Sequence, residues 1–253
     1  MKHRINTLIL AVAIASISWF LWDSWLFIPS LIIVLLIYTV LLTLGVLFMQ
    51  YNYFLKSTTR LNANTCLISF DDGPDPTNTP KILEVLAKHD IKAVFFTIGR
   101  KVEEQPEIAK QIIQEGHLIG NHSYEHNNFM SLFTRKKLRD DIGKAQLTLK
   151  NVTGIDTPYF RPPIGYTNPR YASVLGELKM KCVGWTLRSY DTVIKDAEKL
   201  KKRLNTLIKP GNIILLHDNL DITAAVLDDF IQQAKANGII FASSADIKKI
   251  LDA

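Results

Sequence analysis

Cysteine is nearly absent from this 253-residue chain: Cys66 and Cys182 are the only two, and both lie inside apolar stretches. Such a pair cannot staple a disulfide scaffold, and a lone Cys in an apolar run is ordinarily a small buried hydrophobe. Charge is missing from the front of the chain. Of 30 Lys and Arg and 24 Asp and Glu residues, only Lys2, Arg4, Asp23 and Lys56 fall in the first 56 positions. That desert excludes a disordered chain and a plain soluble globule. Long basic runs are also lacking, none going beyond three residues as in Lys201-Lys202-Arg203, and the formal net charge of +6 is dilute. Nucleic acid is therefore not an expected partner. With no internal repeat and no low-complexity stretch, the length leaves one catalytic-sized domain and an appendage.

The appendage is the uncharged front. From Ile5 to Leu55 the only charge is Asp23, and a bilayer core takes roughly 20 apolar residues per helix, so two spans fit. Asp23 divides them into helices at about 5–22 and 25–49, a transmembrane hairpin within 1–56. Trp19, Trp22 and Trp25 cluster at the turn, where indole rings favour the headgroup layer. Pro29 falls in the first turns of the second helix, where a missing N–H costs little. A cleaved signal peptide is the alternative for the first segment; the second would still anchor the chain in membrane lipid. Lys2 and Arg4 precede the first span and Lys56 and Arg60 follow the second, so positive-inside logic puts both ends, and the domain behind them, in the cytoplasm. A single crossing would instead place the domain outside.

Residues 57–65 read as a polar connector, and 66–253 as the catalytic domain. There a short apolar strand is repeatedly followed by an amphipathic helix. Strands are expected at 66–70, 93–97, 117–121, 158–160, 180–185, 212–216 and 239–242. The helices between and after them are expected near 79–89, 106–115, 134–152, 168–178, 196–208, 221–237 and 244–252. Thr79-Pro80, Pro106 and Thr134 mark starts, Gly116 and Gly238 ends. Seven such units point to a parallel sheet, either a small or incomplete (β/α) barrel or an open doubly wound sheet.

The unusual polar clusters all follow strands: Asp71-Asp72-Gly73-Pro74, His122-Ser123-Tyr124-Glu125-His126, Arg161-Pro162-Pro163-Ile164-Gly165 and His217-Asp218. Loops after parallel barrel strands open on one face, so four clusters converge there. His122 and His126 are four apart, and on a helical turn both rings would face one side; with a nearby carboxylate they would form a facial metal set with open positions. Two surface histidines share that spacing without a metal. Asp71-Asp72 ending an apolar strand is costly unless a cation or a base's task requires it, the plainer reading being an N-cap with an Asp-Gly turn.

In this order the clusters resemble the polysaccharide deacetylase family (NodB homology domain, carbohydrate esterase family 4), through Ser69-Phe70-Asp71-Asp72-Gly73-Pro74, His122 to His126, Arg161 to Gly165 and Leu215-Leu216-His217-Asp218. The resemblance implies a distorted or incomplete (β/α) barrel with parallel strands and metal-dependent removal of acyl groups from sugars. Carried over, Asp71 is the general base, Asp72, His122 and His126 the metal ligands, Arg161 the holder of the base and His217 the general acid. The Ile164 backbone N–H would stabilise the oxyanion and Leu215 line the acyl pocket. The cofactor implied is a divalent ion, zinc first, with Co2+, Ni2+ or Mn2+ as alternatives, which would activate water and polarise the amide oxygen.

The sequence departs from the family pattern twice. Ile164 stands where an aromatic residue is usual, and Arg188 where the family has an Asp that orients the acid. Either Asp191 takes that role or the acid is tuned differently, and Arg188 reads as a surface residue or a substrate-phosphate contact. The expected activity is a membrane-anchored hydrolase removing an N-acetyl or similar group from an amino sugar in a glycan or a lipid-linked precursor. A deformylase or other C–N hydrolase on a lipid-linked sugar, and a non-catalytic carbohydrate binder of the same fold, are the alternatives.

Overall fold

A computed structural model describes residues 2–61, 64–243 and 247. The charge-poor front forms two helices, α1 (Lys2–Leu21) and α2 (Phe27–Leu47). At 1.5 Å per residue each is about 30 Å long, the thickness of a bilayer core. They pair antiparallel, with the hydroxyls of Thr7 and Tyr38 in contact at 2.8 Å. No residue of α1 is buried and only Gly45 of α2 is; most of their apolar side chains are exposed, while Leu42 and Val46 of α2 pack against the domain. The second helix ends two residues before the expected position 49, because Met49–Tyr51 tightens into a 3-10 turn closed by Asn52 at φ 50°.

The stretch expected to be a plain connector contributes β1 (Ser57–Thr58) to the sheet. Next come β2 (Thr65–Asp71), α3 (Asn78–Lys88), β3 (Val94–Thr97), α4 (Gly99–Glu104), α5 (Pro106–Gln114), β4 (Leu118–Asn121), α6 (Arg135–Thr153) and β5 (Tyr159–Phe160). The chain continues through α7 (Pro169–Glu177), β6 (Lys181–Val183), β7 (Leu187–Arg188), α8 (Ala197–Leu207), β8 (Ile213–His217), α9 (Asp221–Ala236) and β9 (Ile240–Phe241). All seven expected strands are present with boundaries within two residues. The short β1 and β7 and the helix α4 were not expected, and the helix expected at 244–252 lies outside the described residues except for Ile247, which is buried.

The strands pair in the order β1-β6-β5-β4-β3-β2-β8-β7, with β9 added to the start of β2, and every strand pair is parallel. Among the described residues no strand pair closes β7 onto β1, which makes the sheet the incomplete barrel expected. Strand periodicity assigns the two faces. Cys66, Ile68 and Phe70 of β2 pack outward under α3, α8 and α9 with Phe95, Ile214 and Leu216. Leu67 packs inward with Val94, Phe96, Ile213 and Leu215. By the same alternation Ser69 and Asp71 are inward positions, and the register setting Asp71 beside His217 brings two polar side chains together at the C-terminal rim.

Candidate active site

The rim is built from strand ends whose last residues turn polar. Arg161, just after β5, is fully buried and every arm of its guanidinium is used. Nη1 donates to Asp71 Oδ1 at 2.6 Å and to Ser69 Oγ at 2.9 Å, Nε to the Val183 carbonyl and Nη2 to the Gly184 carbonyl. Its plane lies 4.0 Å from the centre of the Phe96 ring, which itself occupies the space a side chain on Gly120 would need. A buried cation so saturated is tolerable only with its carboxylate, and it leaves Asp71 Oδ2 facing the cavity as an acceptor. Ser69 is a partner that nothing in the chain singles out beyond its place in the motif.

Asp72 sits at φ 73°, a left-handed conformation uncommon for a residue with a side chain. This turns its carboxylate toward His122 Nε2 at 3.5 Å and His126 Nε2 at 3.1 Å. The two histidines do not lie on a helical turn as their spacing suggests. They occupy an irregular loop in which Ser123 and His126 both have positive φ. The rings converge because the backbone between them is fastened: Asn121 Oδ1 accepts from the Ser123 N–H, Ser123 Oγ from the His126 N–H, and Asp141 on α6 from the N–H groups of Tyr124 and Glu125. Ile164, at φ 63°, is a fourth left-handed residue on this rim. Strained backbone concentrated at one place is a mark of a functional site.

Do these residues fit a metal? Asp72 Oδ1 is buried with no hydrogen-bond donor, a costly state for a carboxylate unless a cation faces it. The Nδ1 of His122 is 2.8 Å from the Arg161 carbonyl oxygen, so it carries the proton and leaves Nε2 as a lone-pair donor. Asp72, His122 and His126 thus present one oxygen and two nitrogens, all within 4.8 Å of one another. Two imidazoles and one carboxylate with open positions suit a divalent transition metal. In the metal-free rim the imidazoles do a cation's work: burial works against the Asp72 anion, but the closeness and charge of His122, then of His126 and His217, hold the carboxyl well below its ordinary range, and Asp71 and Asp72 in turn lift His122 against its burial. Burial, then the charge of His122, pushes His126 down, which favours the neutral, ligating ring.

Opposite stands His217. Its Nδ1 is 2.8 Å from Asp191 Oδ1 and its backbone N–H donates to Asp191 Oδ2. Asp191 is fully buried and also accepts from Ser189 Oγ, Thr223 Oγ1 and the Thr192 N–H. The carboxylate bonded to His217 is therefore Asp191, three residues past Arg188. Burial alone would depress the imidazole, yet the bond and charge of Asp191, with Asp71 and Asp72 behind it, lift His217 to about 9. Asp218 is not a cavity group: it accepts from Thr79 Oγ1 at 2.7 Å and fills the space against Gly73 where a side chain would clash.

Asp71, Asp72, His122, His126 and His217 line one cavity of about 160 Å3 with Ile164, Trp185, Arg188, Thr192 and Leu215. A held carboxylate and a held imidazole thus line one cavity beside three donors that could hold a cation. The family pattern described as polysaccharide deacetylase matches residues 58–183. A peptidoglycan-N-acetylmuramic acid deacetylase, PdaA, of Bacillus subtilis is 32% identical over 78% of this chain and 76% of its own length. Among solved structures, the Bc1960 peptidoglycan N-acetylglucosamine deacetylase in complex with an N-oxidanyl-benzamide superposes with a TM-score of 0.72, at 30% identity over 78% of this chain and 93% of that one. BA3943 of Bacillus anthracis, described as a CE4 family pseudoenzyme, superposes with a TM-score of 0.71, at 29% identity over 78% and 69%. The chain belongs to the polysaccharide deacetylase family, and its class is that of hydrolases acting on amide bonds.

Proposed function

We propose that this protein removes the N-acetyl group of an amino sugar, with zinc as its metal and α1 and α2 as its membrane anchor. The observation that carries the reading is the completeness of the rim: base, donor set and acid line one cavity, each fastened by a buried partner. A binder that has lost catalysis would have no use for both held titratable groups. Zinc bound by Asp72, His122 and His126 supplies Lewis acidity toward water and the acyl oxygen. Asp71 Oδ2 takes a proton from the attacking water, whose oxygen bonds to the acyl carbon. The N–H of Ile164 donates to the oxygen that gains charge. His217, its Nδ1 proton turned to Asp191, donates from Nε2 to the sugar nitrogen as the C–N bond breaks, which leaves a free amine and acetate. Leu215, nearly fully buried on the inward face of β8, offers the acyl methyl an apolar wall, which favours acetyl over formyl.

The test compares lipid extracts and wall glycans by mass spectrometry from cells with and without the protein. An amino sugar that keeps its acetyl group only when the protein is missing is the expected result. Retention of a formyl group instead would make the enzyme a deformylase, and unchanged extracts and glycans would overturn the reading.

The cytoplasm is the proposed side. Lys2, Arg4, Lys56 and Arg60 flank the helices on the end that meets the domain, where Lys2 Nζ donates to the Tyr51 carbonyl and the His3 N–H to that of Tyr53. A reporter fused after Ala253 is expected to fluoresce in a cytoplasm-dependent manner. Alkaline phosphatase activity from the same fusion point would place the domain outside.

A further inference from the structure

The end of α2 is docked on the wall of the cavity. Thr167, on the loop that carries Ile164, donates its N–H to the Val46 carbonyl at 3.1 Å and its buried hydroxyl to that of Gly45 at 3.0 Å. Gln50 Nε2 donates to the Trp185 carbonyl at 3.2 Å, and Met49 fills the space beside Gly184 in the same core cluster as Trp185. Trp185 presents its other side to the cavity. One side chain therefore separates the helix end from the chemistry. A helix that spans the bilayer ends at the headgroup layer, so a cavity held this close to its end meets the membrane surface, a poor position for a thick polymer and a good one for a sugar tethered in the bilayer.

Arg188 gives the tether a chemistry. It lines the cavity, is exposed, and no carboxylate pairs with it among the described residues. Its guanidinium is braced over the rings of Tyr190 at 5.1 Å and Trp185 at 5.9 Å. Arg203 lies over the same Tyr190 ring and donates to the Ser189 and Arg188 carbonyls, so a second cation backs the first. A planar, unpaired guanidinium at the edge of a sugar-sized cavity is built to receive a phosphate fork.

We infer that the substrate is an acetylated amino sugar whose anomeric carbon carries a phosphodiester to a membrane lipid, with Arg188 on the phosphate and the lipid in the bilayer beside α2. The inference rests on the deacetylase reading above.

The test uses the zinc-loaded full chain in phosphatidylcholine vesicles and measures acetyl release from three substrates: N-acetylglucosamine on a long-chain isoprenyl phosphate in the bilayer, UDP-N-acetylglucosamine in solution, and a soluble N-acetylated chitooligosaccharide. The lipid diester is expected to have a kcat/KM about tenfold or more above the others. Arg188→Gln is expected to raise KM for the diester about tenfold more than for the oligosaccharide, with kcat little moved and partial recovery in Arg188→Lys. If the oligosaccharide is turned over as well as the diester, or if Arg188→Gln affects both alike, the inference fails while the deacetylase reading stands. Equal use of the nucleotide sugar would keep the phosphate contact and overturn the membrane tether. Acetyl release from none of the three overturns both readings.

Discussion

The double substitution His122→Ala/His126→Ala is expected to leave a folded protein that retains no bound divalent metal and has lost activity by on the order of a thousandfold or more. Two of three donors vanish, and a single carboxylate cannot hold a transition metal against water. The surroundings argue for a site that needs its cation. Asp72 Oδ1 is buried without a donor, and the Asp72 carboxylate stays ionised because the imidazoles of His122, His126 and His217 offset its burial. With two of those rings gone, burial acts on Asp72 less opposed and its carboxyl rises. Elemental analysis of the purified full chain measures the metal, and circular dichroism confirms the fold. Metal content equal to that of the unaltered protein would remove the site. Asp72→Asn, which keeps the shape of the side chain, is a second route to the same loss.

Much of this architecture is legible in the chain because two different periodicities write it. In β2 and β8 every residue before the polar end is apolar or small, the pattern of strands covered on both faces, and the chemistry begins where that pattern stops, at Asp71 and His217. The helices announce themselves through end signals that the structure bears out: Thr134 Oγ1 accepts from the Lys137 N–H at the start of α6, Pro106 opens α5, and Gly116 and Gly238 follow α5 and α9 at φ 80° and 79°. What is not legible is short or non-local. Two-residue strands such as Ser57–Thr58 and Leu187–Arg188 carry no periodicity, and only pairing to β6 and β8 makes them strands. The four-residue spacing of His122 and His126 suggests a helix. It is met instead by a loop fastened through Asn121, Ser123 and Asp141, the last supplied by the α-helix that follows. The choice between Arg188 and Asp191 likewise turns on how the chain bends after β7, which no local pattern records.

Asp71→Asn is expected to keep the metal and lower turnover by about a hundred- to ten-thousandfold, the range for removing a positioned general base. The amide oxygen still accepts from Arg161 Nη1, so the geometry of the rim persists, but Oδ2 gives way to an amide that cannot take a proton. Arg161 then lacks its counter-charge while remaining fully buried, and breaking such a pair costs up to about 3–5 kcal/mol, seen as a lower unfolding midpoint. A third effect reports the charge that Asp71 places near His217. In the metal-free chain His217 is lifted to about 9, against its burial, by the bond and charge of Asp191 and by the charges of Asp71 and Asp72. The sign follows from a folded value above the unfolded one: this stabilisation is complete below the ordinary histidine range near 6.5 and is lost as pH rises through about 9. The acid is likewise protonated below that value and spent above it. Neutralising Asp71 removes one of the three charges, so the His217 imidazole, followed by NMR in the metal-free protein, is expected to titrate at lower pH in Asp71→Asn. Turnover near that of the unaltered protein would show that Asp71 is not the base, whatever its contacts, because among the described residues no other carboxylate lining the cavity is free of the metal site to replace it.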